Sequence, residues 1–353
     1  MYFFSRLKFH SRIGTGVTFG LFGLWGGGET LTEAEKIQRL VATGRVAREN
    51  QQYDQARAVF HEALQKSSDL RKEDKITEKE HLNHKVFIYD QIANMLLDTG
   101  DFKNAERVFK DTLQLCLQLG MPENDNAIVE MMLKLATIYM YSGKIALGVR
   151  GVRECIDVQE KKLAASGGEK KDKEGKTVDA KELAEVETNT KVLLGKSYKH
   201  YAMFYTQQRH WKQAKELLWK AHALSVETLG EADDNSFIIL NDIATIELME
   251  QNYVAAEEIL RDGIVKSGKA KSVVQSAFYS NLGALYLRTS RLDDAEVACK
   301  KGLNVARRMG DQVCEMPNKA CLIKIVELRK QSGQEAQEKE DAEEEEVVKK
   351  VNN

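Results

Sequence analysis

Proline is almost missing from this chain of 353 residues, which has 2 of them. That scarcity speaks against a loop-rich β protein and leaves room for long helices. No C-x-x-C pair occurs among the 5 cysteines, Cys116, Cys155, Cys299, Cys314 and Cys321, and their odd number describes no disulfide framework. Cys116, Cys155 and Cys299 fall within apolar helical patterns, where thiols act as small hydrophobes. The compartment expected from them is a reducing one, cytosol or mitochondrial matrix. An excess of positive charge is also lacking. The formal net charge is −2, so there is no electrostatic grip on phosphates and no nucleic-acid partner is expected.

Long hydrophobic runs are absent as well. The most apolar stretch, "IGTGVTFGLFGLW" from Ile13 to Trp25, falls short of the roughly 20 residues that a spanning helix needs. Its glycines, Gly14, Gly16, Gly20 and Gly23, make a poor helix. Nor does the chain display catalytic chemistry. Of the histidines only His81 and His84 lie close together, at i,i+3, and no cysteine or paired acid joins them at metal-ligand spacing. The glycine-rich segments lack the lysine and hydroxyl of a phosphate loop. No catalytic residue, cofactor or metal is expected.

What is present is a repeat. "YDQARAVFHEAL" (53–64), "FKNAERVFKDTL" (102–113), "WKQAKELLWKAH" (211–222), "YVAAEEILRDGI" (253–264) and "LDDAEVACKKGL" (292–303) stack on one another. Each opens on a large apolar residue and has alanine three places later and an apolar residue four after that. A degraded sixth copy, "IALGVRGVRECI" (145–156), has Gly148 for the alanine. Spacings of three and four put these positions on one stripe of a helix, and the central alanine lets a neighbouring helix approach closely. Upstream of every copy lies a partner helix with a small residue nine places before the opener. The predicted packing positions are therefore Gly44, Ala56, Ala93, Ala105, Ala136, Ala202, Ala214, Ala244, Ala256, Gly283 and Ala295. Short turns such as "TGD" and "SGK" suit antiparallel pairs. Asp125 or Asn126, and one of Asp233, Asp234 and Asn235, are placed to cap helix starts.

These residues resemble the tetratricopeptide repeat family from about residue 35 to 328. The step between central alanines is near forty, longer than the roughly 34 residues of the standard repeat, as in kinesin-light-chain-type repeats. The resemblance implies an all-α, right-handed superhelical solenoid of about six helix pairs, near 36–68, 84–119, 125–162, 184–227, 234–267 and 272–308. A C-terminal capping helix at 313–331 completes a domain of residues 31–331. A charged loop is expected at 164–182, and the run "QEAQEKEDAEEEEVVKK" predicts an acidic disordered tail over 332–353.

Such solenoids bind through a concave surface lined by the first helix of each pair. The inward candidates are Asp90, Asn94, Lys134, Thr137, Lys199, Met203, Asn241, Thr245, Asn281 and Leu287. Asn94, Asn241 and Asn281 are suited to bonding a peptide main chain. Asp90 and Met203 stand where a chaperone-tail clamp needs lysine or asparagine, which disfavours that ligand.

Residues 1–30 open with "MYFFSRLKFHSR", basic and free of acids until Glu29, the composition of a mitochondrial targeting leader. Behind it, Phe19, Phe22 and Trp25 could insert shallowly at an inner-membrane surface. With "LGMPENDNAIVEMMLKLATIYMYSGK" and the charged insertion, the chain resembles mitochondrial members of the family. That resemblance implies an inner-membrane, matrix-facing scaffold for respiratory complex III (cytochrome bc1). Its partners would be complex III subunits, including the Rieske iron–sulfur protein or its fragments, whose clearance it would support. The short leader and the acidic tail depart from the family. The alternative is a cytosolic peptide-binding adaptor of kinesin-light-chain type, although no long heptad region is present for pairing with a motor chain.

Overall fold

A computed structural model describes residues 32–165 and 180–351, with 332–351 as backbone. Among these residues there are 13 α-helices and no strand. They are α1 (Glu33–Glu49), α2 (Tyr53–Lys72), α3 (Glu78–Asp98), α4 (Phe102–Gln118), α5 (Asn126–Tyr141), α6 (Ile145–Ala164) and α7 (Ala180–Gln207). Then follow α8 (Trp211–Leu229), α9 (Asp234–Met249), α10 (Tyr253–Lys269), α11 (Gln275–Arg288), α12 (Leu292–Met309) and α13 (Gln312–Val351). The chain is an all-α repeat fold whose helix order is in phase with the six sequence copies, and α1 with α2, α3 with α4, α5 with α6, α9 with α10 and α11 with α12 pack as pairs. It divides about His200 and Tyr201, within α7, into two compact units. The leader 1–30 and most of the loop 164–182 lie outside the described residues. No described helix is long and apolar enough to cross a membrane.

Local sequence explains where the helices start. Thr32 and Thr77 each form a capping box, with Glu35 and Glu80 respectively. Their hydroxyls and the two carboxylates satisfy amides that the first turn leaves unpaired. Of the alternatives at the later starts, Asp125 accepts from the Ala127 amide and Asp233 from the Asn235 amide, both at 2.8 Å.

The turn inside every pair has one construction. Gln51, Gly100, Gly143, Arg209, Gln251 and Ser290 all have positive φ, between 58° and 79°. The next amide reaches back five residues, as from Gln52 to the Ala47 carbonyl and from Asn252 to the Glu247 carbonyl, at 2.9 and 2.8 Å. This is the Schellman ending, which pairs carbonyls a helix terminus would otherwise orphan. Two copies use glycine at the left-handed position and four bear a side chain there at a cost of about 1–2 kcal/mol. Replacing Arg209, Gln251 or Ser290 with glycine is therefore expected to stabilise the fold by about 0.5–1 kcal/mol each, after the extra chain entropy of glycine. Denaturant titration of the single variants measures this.

The packing positions named from the sequence are all buried. Gly44 leaves the space occupied by the Phe60 ring, whose Cε1 is 2.5 Å from where a Cβ would stand. Gly148, the degraded alanine, has the same kind of reason. A Cβ there would lie 2.6 Å from the Ala136 carbonyl oxygen, so the crossing of α5 and α6 is closer than alanine permits.

Two features differ from expectation. Cys299 is no free thiol: it is disulfide-bonded to Cys321, with Cα atoms 6.3 Å apart. Helix α13 packs back on α12 and brings together residues 22 apart in sequence, a pairing that no local motif announces. A Cβ at Gly283 would strike the Cys299 sulfur, so the glycine makes room for the bridge. Of the three cysteines expected as buried thiols, Cys116 and Cys155 are buried and free. Second, the backbone of α13 stays helical to Val351, through most of the segment for which composition predicts a disordered tail. Alanine, glutamate, glutamine and lysine are strong helix formers, and a packed helix at 312–331 has already met the cost of nucleation.

Candidate functional site

Of the inward candidates of the first unit, Asp90, Asn94 and Lys134 form part of one polar network across α1, α3, α5 and α7. Asp90 and Asn94 project from α3 one turn apart. The Asn94 amide donates to the Asp90 carbonyl and to its carboxylate, at 2.8 and 2.9 Å. Gln91 Nε2 donates to the same carboxylate at 3.1 Å, and Arg48 Nη1 donates to Gln91 Oε1 at 3.3 Å. Arg48 also lies 3.5 Å from Asp98. On α5, Lys134 Nζ stands 3.7 Å from Asp90 and 3.4 Å from Glu130, which Lys196 of α7 approaches to 3.8 Å.

Burial and charge compete in this network. Burial pushes the Asp90 carboxyl above its ordinary value despite the opposing pull of Lys134. Burial also acts on Lys134, but Asp90 and Glu130 outweigh it and hold the ammonium above its usual range. Lys196 is less well compensated, and burial draws it down. A partly buried pair of this kind costs most when one partner is removed. The arrangement is therefore a set charge pattern with little freedom to rearrange.

Thr137 donates to the Leu133 carbonyl at 2.8 Å, and its oxygen lies 3.3 Å from Nδ1 of His200. With the hydroxyl proton used, the ring must donate from Nδ1, which defines its neutral tautomer. Burial, with Lys199 and Lys196 adding to it, pushes His200 down to about 3. Lys199 itself is half-buried on α7. The pair His81 and His84 shares a hydroxyl: both Nδ1 atoms meet Ser67 Oγ, at 3.0 and 3.1 Å. That hydroxyl can donate to one ring and accept from the other, so the two histidines fasten α3 to α2.

In the second unit the candidates group by amide chemistry. Asn281 Nδ2, nearly buried on α11, donates to Asn241 Oδ1 and Thr245 Oγ1 of α9, at 2.9 and 3.0 Å. Met203 is half-buried on the last turns of α7. Leu287 is partly buried against the hydrophobic core rather than free in a groove. The Nδ2 protons of Asn94 and Asn281 are thus already engaged inside the fold. The sequence missed Arg48, Gln91, Glu130 and Lys196 as members of the first network. Glu130 and Lys134 are charged residues at i,i+4 on the otherwise apolar α5, the signal that could have found them.

The comparisons with known proteins follow the repeats. The sequence model of the Tetratricopeptide repeat family matches residues 88–119 and 197–235. Over 281 residues the chain is 26% identical to the protein named tetratricopeptide repeat protein 19, mitochondrial, of Homo sapiens, covering 80% of this chain and 69% of that one. The homologue so named in Drosophila melanogaster is 25% identical over 292 residues, covering 82% and 71%. Among solved structures, BtubC (BKLC) from P. vanneervenii superposes with a TM-score of 0.51 at 13% identity, over 78% of this chain and 92% of that one. That likeness is one of fold.

Proposed function

We propose that this chain, a tetratricopeptide repeat protein similar over 80% of its length to a human relative named mitochondrial, acts in mitochondria as a scaffold without catalysis. It binds protein through the first helices of its pairs. Its partner is respiratory complex III, whose assembly or upkeep it supports at the matrix face of the inner membrane, including removal of Rieske protein fragments. The observation that carries this reading is the extended similarity to those mitochondrial relatives. The helix-pair fold supports it, because stacked pairs offer side chains from successive helices along one face. The paired charges of the first unit are the candidates for recognising a partner segment.

Affinity purification of the full chain from solubilised mitochondria is expected to recover cytochrome bc1 subunits. Recovery of none, together with intact complex III in cells lacking the protein, would overturn the reading. Protease treatment of mitoplasts is expected to leave the repeats intact. Digestion would place them in the intermembrane space, a compartment in which the Cys299–Cys321 bridge would be at home. A fusion of residues 1–30 to a fluorescent protein should mark mitochondria, whereas a diffuse cytosolic signal would favour the adaptor of kinesin-light-chain type.

A further inference from the structure

Among the described residues, α13 up to Gln331 packs on one side only. Asn318, Cys321 and Ile325 turn into the core of the second unit, and Arg329 is ion-paired to Asp293 and Glu296 at the start of α12. The opposite side carries Val313, Met316, Ile323 and Val326, which are 51%, 67%, 61% and 52% exposed, with exposed Ala320 among them. Steps of three and four residues place them along one stripe of the helix. The terminal helix of a repeat array ordinarily needs a polar outer face to stay soluble. A row of uncovered methionine, isoleucine and valine is instead the surface of an interaction site.

The spacing identifies the occupant. In an antiparallel pairing of two such helices, the residue numbers of facing positions have a constant sum. The same sum brings Met316 opposite Ile323 and Val313 opposite Val326, with Lys319 and Ala320 flanking the centre. The patch is therefore complementary to itself about a two-fold axis, the condition for an isologous dimer, and Ala320 at the middle permits close approach. Charge agrees. On the exposed side Lys319 and Lys324 are paired to Glu315 and Glu327, so the apolar row is bordered by nearly balanced charge. Farther along, the sequence turns acidic in "EKEDAEEEE" (338–346). A parallel pairing would set the two acidic runs side by side.

We infer that α13 is a self-association surface, and that two copies of this chain pair antiparallel through Val313, Met316, Ile323 and Val326. Light scattering after size exclusion, with the full chain over a range of concentrations, is expected to show a dimer. The double change Met316→Lys with Ile323→Lys should weaken association at least tenfold and leave the helical circular dichroism intact, because both side chains are exposed. Val254→Lys, at an 82% exposed site on α10, should leave the dimer intact. Mixing a Met316→Cys variant with an Ile323→Cys variant should give an intermolecular disulfide under mild oxidation, unmatched when each is oxidised alone. A wild-type monomer at every concentration would overturn the proposal, as would a dimer that survives the double change. Binding of the monomer to anionic vesicles, abolished by that change, would assign the face to a membrane and overturn it too.

Discussion

Phe278→Ala is expected to destabilise the second unit by about 3–5 kcal/mol, the largest loss among the core changes considered. Phe278 is fully buried and meets Phe237 edge-on with ring centroids 6.4 Å apart. It also lies against Gly263, where a Cβ would collide with its ring. Removing the ring leaves a void walled by α9, α10 and α11, which tight helix crossings cannot close. Ala256→Trp tests the same packing from the other side. Ala256 is fully buried, and overpacking there should cost about 1–3 kcal/mol or more. The matching change in the first unit is Ala105→Trp. Trp211 and Trp219 both lie on α8, so their fluorescence during denaturant unfolding reports the second unit. An unchanged midpoint for Phe278→Ala and Ala256→Trp would contradict the repeat phase.

The second large effect is a loss of stability in mild acid through His200. Its folded pKa is depressed to about 3 from an ordinary 6.5, chiefly by burial. Below pH 6.5 the unfolded chain takes up a proton at this ring while the folded chain does not, so stability falls as pH falls. At about 1.4 kcal/mol per pH unit, the loss is about 2 kcal/mol by pH 5 and approaches about 5 kcal/mol near pH 3. Burial also lowers His84 and His222, which act in the same direction. Asp90, held high by burial, acts in the opposite direction at lower pH, which makes the window from pH 7 to 5 the clean one. Chemical denaturation across that window should show the decline. His200→Gln, which can still donate to Thr137, should flatten it; an identical slope would assign the effect elsewhere.

The sequence by itself determined the repeat. A stripe of large and small residues at helical spacing can bury itself only against a neighbour of the same kind, so the helix pairs, their tight crossings and the caps of α5 and α9 were legible. Gly148 was visible only as a defect in the pattern; the closeness of the Ala136 carbonyl, a matter of packing, explains it. The candidate site was less legible. The periodicity could place Asp90, Lys134, Asn241 and Asn281 on the first helices of their pairs. It could not show that Asp90 meets Lys134, or that Asn281 bonds Asn241 forty residues away, because such partnerships depend on how adjacent pairs stack. The Cys299–Cys321 bridge and the uncovered side of α13 belong to the same class. Both follow from the way α13 lies on α12, which no local spacing encodes. Helices form from interactions within a few residues, whereas charges, amides and thiols find their partners across packed surfaces, and those only the tertiary structure decided.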